Sequence, residues 1–219
     1  MFYLCPVVQS KIEWTLIYKL KIFTIMPRTP EQYEEIRNEK KKVILDAAMK
    51  LFACKGYAST SISCIADEAN ISKGLMYNYF KSKEELLKTI LQNFINEIAE
   101  MMDSNHDNRL SIEEALQFLD NYFDLLMTRT EEAKLFSQLT VQPEVLQFFS
   151  ENTIPMTKQG ELLVSCFAGI QKENIEMMIL DFTAIIKGIT ILYVFAPEKY
   201  PDERMLQYKE HLKKKFFRV

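Results

Sequence analysis

Apolar residues recur along this chain at intervals of three and four, while the alternation that marks a strand is scarce, so the pattern predicts an all-α fold. From about Tyr33 to Cys54, the residues Ile44, Ala47, Ala48, Leu51 and Phe52 make one stripe, and Gly56 is placed to end that helix. Ile62, Ile65, Ala66 and Ala69 then give one apolar face to a short helix that Thr60 or Ser61 can cap. Asn70 and Ile71 break the period. Ser72 offers a cap to a second short helix running through Tyr79, which turns Met76 and Phe80 inward and leaves Lys73, Gly74, Tyr77, Asn78 and Tyr79 around them. Two turns of helix do not hold on their own. The arrangement that covers the first helix and braces the second is a helix-turn-helix, in which the second helix enters the major groove of DNA.

Beyond it, Ser82 to Glu85 reads as a capping box opening a long helix to about Met102, with Leu86, Leu87, Ile90, Leu91, Phe94, Ile95 and Ile98 on its buried side. Further amphipathic helices are expected from Ser111 to Thr128, from Glu131 to Val141, from Pro143 and from Pro155. The segment from Lys172 to Ala196 is the most regular, with Ile175, Ile179, Phe182, Ile186, Ile189, Tyr193 and Ala196 spaced by fours and threes. Asp181 and Lys187 interrupt it, which argues against a membrane span. Asp202 starts a last helix, with Lys213 to Lys215 in its final turn.

Composition sharpens this in two places. The net charge of −3 over 219 residues is unevenly spread: residues 1–90 hold 14 Lys+Arg against 10 Asp+Glu, and residues 91–219 hold 13 against 20. The basic excess coincides with the helix-turn-helix, as a DNA-binding surface requires. Cys5, Cys54, Cys64 and Cys166 are scattered without a C-x-x-C pair, which suits a reduced, cytoplasmic setting. Residues 1–26 form an odd extension lacking the apolar run of a signal peptide, and Met26 reads as the natural start, leaving 194 residues.

The surface offered to DNA comprises Thr60, Ser61, Ser72, Lys73, Gly74, Leu75, Tyr77, Asn78, Tyr79 and Lys83. Gly74 lets main chain approach closely, the tyrosine hydroxyls and Lys83 suit phosphate, and base reading falls to Lys73, Leu75 and Asn78. Lys40, Lys41 and Lys42 form a charge run that either touches phosphate or is simply solvated.

The run from Arg37 to Leu87, with I-L-D-A-A-x-x-L-F-A-x-K-G-Y followed by S-K-G-L-M-Y-N-Y-F-K-S-K-E-E-L, resembles the N-terminal domain of TetR-family transcriptional repressors. The resemblance implies a three-helix DNA reader over residues 33–86 and a divergent helical domain over 87–219 that dimerises and binds a small ligand. It therefore predicts a homodimeric repressor released from a palindromic operator by a small apolar or aromatic effector. The expected dimer interface is Ile175, Ile179, Phe182, Ile186, Ile189, Tyr193, Leu212 and Phe216, joined as four helices. Tyr122, Phe123, Phe136, Phe148, Phe149, Met156 and Phe167 form the candidate effector pocket, although any one of them is better accounted for as packing.

One motif stands apart. Asp103, Asn105, Asp107, Arg109, Ser111 and Glu114 occupy the ligand positions of an EF-hand calcium loop, with Asn108 where glycine is usual. A polar linker ending in the capping box Ser111 to Glu114 explains the same residues without metal, and no second loop pairs with it. Calcium-responsive regulation is thus an alternative, and otherwise no cofactor is expected. His106 and His211 lack a paired carboxylate or nucleophile at helical reach, so an enzyme is not expected.

Overall fold

The computed structural model describes residues 29–151, 157–170 and 174–217. The expectations for residues 1–26 and for Met156 fall outside them. The described residues form ten helices: α1 Pro30–Lys55, α2 Ile62–Glu68, α3 Lys73–Tyr79, α4 Lys83–Met102, α5 Ile112–Thr128, α6 Thr130–Thr140, α7 Pro143–Glu151, α8 Thr157–Ile170, α9 Ile175–Phe195 and α10 Asp202–Phe217. The chain forms two compact units, Met1–Lys42 and Val43–Val219.

In the first unit, α1 begins earlier than its apolar stripe suggests. Gln32 N donates to Thr29 Oγ1 at 3.3 Å and Thr29 N donates to Gln32 Oε1 at 3.1 Å, a reciprocal box with Pro30 at the first helical position. Lys40 and Lys42 are exposed there and Lys41 half-buried.

In the second unit, serine opens four helices. Ser61, Ser72, Ser82 and Ser111 accept from the backbone N–H three residues on, at 3.1 to 3.2 Å, at the starts of α2, α3, α4 and α5. Only Ser111 completes the box, through Glu114; Glu85 instead accepts from Lys81 N at 2.6 Å. The turn after α1 needs a left-handed residue, which Gly56 supplies at φ 91°.

Two cores follow from the stripes. One gathers Ile44, Ala48, Phe52, Ile65, Met76, Phe80, Leu86, Leu87 and Leu91 from α1 to α4, together with Leu139 and Val145 from α6 and α7. The other gathers Met102, Leu119, Phe123, Leu126, Phe167, Phe182, Tyr193, Met205, Leu212 and Phe216 from α4 to α10. Helix α4 contributes to both, so 20 residues of continuous helix join them.

Candidate nucleic-acid interface

Helix α3 owes its position to a short list of contacts. Met76 and Phe80 are buried in the first core, while Ser72, Lys73, Gly74, Leu75, Tyr77 and Asn78 are exposed and Tyr79 is half-buried. Below the turn, Tyr57 meets Phe52 edge-on, with ring centroids 5.1 Å apart. Burial, aided by the neighbouring Glu84 carboxylate, pushes the Tyr57 phenol up to about 12, so it stays neutral across any physiological pH. Lys83 Nζ lies 4.3 Å from the centre of the same ring and donates to Tyr57 O at 2.9 Å and Ala58 O at 3.3 Å. An ammonium has three donors, so one N–H of Lys83 remains for an outside acceptor.

Thr60 does not belong to the outward surface. It is 3% exposed, and its hydroxyl donates to Gly56 O at 2.8 Å and Leu51 O at 3.3 Å, closing the C-terminal turn of α1. A buried hydroxyl must find acceptors, and here carbonyls at the helix end and the following turn supply them. Ser61, the actual cap of α2, is exposed, and its Oγ also donates to Cys64 Sγ at 3.2 Å.

Gln142 joins this turn to the rear of the chain, and the apolar pattern gave no sign of it. Its side-chain Oε1 accepts from Tyr57 N at 2.7 Å while its Nε2 donates to Phe52 O at 2.8 Å. The same residue's carbonyl accepts from Val145 N and Leu146 N to start α7. Its place just before Pro143 marks a helix start, but nothing in the sequence says where the amide goes.

The expected dimer face is corrected by the burial of α9 and α10. Phe182, Ile186, Ile189, Tyr193, Leu212 and Phe216 lie in the chain's own second core, and Ile175 and Ile179 pack against it half-buried. The opposite side of α9 carries Met177, Leu180, Ala184, Gly188, Ile191 and Phe195, of which Met177, Leu180, Ile191 and Phe195 are 42 to 58% exposed. At about 100° per residue these six fall within one narrow stripe, with Asp181 and Lys187 at its margins. Helix α9 is long and apolar enough to cross a membrane by length and composition, yet one of its faces is core.

The described members of the expected pocket are divided between the two cores. Tyr122, Phe123 and Phe167 are buried; Tyr122 Oη and Thr190 Oγ1 share a hydrogen bond of 2.7 Å, and Phe167 stacks on Phe217 at 5.9 Å and meets Phe182 edge-on at 5.8 Å. Phe136 stacks on Phe94 with centroids 3.6 Å apart. Phe148 and Phe149 lie on α7, and their side chains are outside the described residues. Among the described residues, buried acceptors without hydrogen-bond partners occur at the seam of α4 and α8, at Asp103 Oδ1 and Gln159 Oε1. Gln159 Nε2 donates to Ile95 O at 2.7 Å.

Several oxygens of the loop at 103–114 are taken up within the chain. The buried Asp103 carboxylate faces Lys158 Nζ at 3.2 Å, Asn105 Oδ1 accepts from Asp107 N, Asp107 Oδ1 accepts from Arg109 N, and Glu114 closes the α5 cap. His106 and Asn108 take the left-handed conformation, at φ 58° and 59°. Among the described residues no group of three or more acidic, histidine or cysteine side chains is placed to hold a metal ion.

A short polar helix held over a sealed core by a capped partner defines a helix-turn-helix protein of the DNA-binding type. Residues 44–90 match bacterial regulatory proteins of the tetR family. The chain is 35% identical over 107 residues to the biofilm operon icaADBC negative transcriptional regulator IcaR of Staphylococcus epidermidis, covering 48% of this chain and 56% of that one. It thus spans little more than half the length of that regulator. Against IcaR of Staphylococcus aureus strain Newman, identity is 31% over 140 residues, covering 54% of this chain and 74% of the relative. The fold superposes on the fatty acid degradation regulator FadR from Bacillus halodurans with a TM-score of 0.64 at 19% identity, covering 78% of this chain and 96% of that structure. The chain belongs to the TetR family.

Proposed function

We propose that this protein is a homodimeric transcriptional repressor that grips a palindromic DNA operator with α3 of each subunit and is released by a small apolar or aromatic ligand. The observation that carries the reading is α3 itself. Its outer side chains are exposed and chemically suited to a duplex, while Met76 and Phe80 fix its orientation. A reader of 7 residues reaches too few bases alone, so two copies about one helical turn of DNA apart, ~34 Å, are required.

The outward stripe of α9 supports the dimer. Small residues at Ala184 and Gly188, flanked by Leu180 and Ile191, let a second helix approach closely while large side chains interlock around them. A cleft of about 280 Å³ between α9 and α10, lined by Gly188, Leu192, Arg204 and Tyr208, is sized to receive a side chain of that copy. Ligand is proposed to act near the α4 and α8 seam, where Asp103 Oδ1 and Gln159 Oε1 lack partners among the described residues and where α4 leads directly to the first core. A coupling of about 1 to 3 kcal/mol between the sites suffices to change operator occupancy severalfold or more.

Selection of bound duplexes from a random pool at moderate salt tests the reading. The expected result is one palindromic sequence bound by a dimer. Purified protein that stays monomeric and retains no double-stranded fragment at low ionic strength overturns it.

A further inference from the structure

Which bases α3 selects follows from how its side chains are distributed around it, and this inference rests on the DNA-binding reading above. Successive residues of a helix turn by about 100°. With Met76 and Phe80 pointing into the core, the direction opposite them falls on Asn78, flanked by Gly74 on one side and Leu75 on the other. Lys73 and Tyr77 lie about 140° and 100° round from Asn78, toward one edge of the helix. The side chains that face straight out are therefore an amide, an isobutyl group and no side chain at all.

The glycine is informative. Gly74 does not take the left-handed conformation, and a Cβ built on it meets nothing within 4 Å in this chain. Neither backbone geometry nor internal packing calls for glycine there, although glycine is among the poorest helix formers. On an exposed face, that leaves room for an outside surface to come close to the main chain at this point.

We infer that α3 meets the floor of the major groove along the line Gly74, Asn78 and Leu75, and that it selects a half-site holding two nearby A·T pairs. Asn78 reads the first as adenine, its Oδ1 accepting from N6–H and its Nδ2 donating to N7. Leu75 covers the thymine methyl of the second. Residues three apart on a helix have Cβ atoms about 5 to 6 Å apart, and base pairs rise about 3.4 Å, so the two pairs are one or two steps apart. Lys73 and Tyr77, at the edge, are left to the phosphates of one groove wall, and Gly74 gives the backbone room to seat there.

The test uses the full-length protein and the duplex recovered by selection. Single thymines are replaced by uracil, which removes only the methyl group, and single adenines by 7-deazaadenine, which removes only the N7 acceptor. Wild type is expected to lose roughly tenfold or more in affinity at one uracil position and at one 7-deazaadenine position, one or two pairs apart. Leu75→Ala is expected to be indifferent to the uracil, and Asn78→Ala to the 7-deazaadenine. Gly74→Ala is expected to keep or raise the melting temperature while weakening the selected duplex at least tenfold, so misfolding cannot imitate the effect. Sequence-selective binding that is unmoved by every uracil and 7-deazaadenine replacement overturns the base assignment and leaves the DNA-binding reading standing. Undiminished binding by Gly74→Ala overturns the close approach. Absence of selective binding to any duplex overturns the parent reading, and this inference with it.

Discussion

Helices α3 and α9 present opposite problems to a reader of sequence. In α3 the buried residues, Met76 and Phe80, are apolar and the outward ones mostly are not, so the inward face has one solution. In α9 the inward stripe of Phe182, Ile186, Ile189 and Tyr193 is matched by an outward stripe of Met177, Leu180, Ile191 and Phe195. Periodicity identifies a stripe but not which of two stripes is core. A helix that is apolar on one side announces its environment; a helix that is apolar on both sides announces only that it has two neighbours.

The two helices can be set against each other by substitution, beginning where the largest change is expected. Phe182→Ala should cost about 3 to 5 kcal/mol of stability, read as a lowered melting temperature. Phe195→Asp, on the other stripe, should keep the helical circular dichroism signal and yield a monomer by sedimentation. A dissociated but stable Phe182→Ala protein would reverse the assignment of the faces. In α3, Met76→Ala should cost about 2 to 5 kcal/mol, whereas Tyr77→Ala should stay within about 0.5 kcal/mol in stability and show its effect only in DNA affinity. Comparable losses of stability for the pair would mean that α3 is not held as described.

Smaller effects probe what fixes α3 from behind. Gln142→Ala removes the amide that bridges Tyr57 N and Phe52 O and should destabilise by about 1 to 3 kcal/mol, with faster hydrogen exchange at Tyr57 N as its local signature. Thr60→Val keeps the shape and deletes the hydroxyl that closes α1; a loss of about 1 kcal/mol is expected, with no change in base preference. A changed preference in that variant would return Thr60 to the DNA surface.

The all-α fold and the order of helices were legible because the helices carry apolar stripes and the first five carry a cap that local chemistry explains. Ser61, Ser72, Ser82 and Ser111 all cap where their spacing predicts. The start of α1 was misplaced because Thr29 to Gln32 precede the apolar stripe of the helix, although the T-P-E-Q order holds the signal. Thr60 was misplaced because a threonine next to a cap position serves equally as the closing group of the preceding helix. The residues expected at a dimer face turned out to be core because α9 is apolar on both sides and periodicity does not rank the two stripes, and the aromatics of the second core resemble a pocket lining because they come from helices far apart in sequence. Gln142 was out of reach for the same reason: its partners are 85 and 90 positions away.

That glutamine sets how the protein should respond to its medium. Contact with a polyanion weakens steeply as counterions are added, because each neutralised phosphate competes with salt. An uncharged carboxamide spanning Phe52 and Tyr57 carries no such dependence, nor does it titrate. Raising ionic strength should therefore loosen the proposed grip on DNA while leaving the mechanical tie behind the turn at full strength.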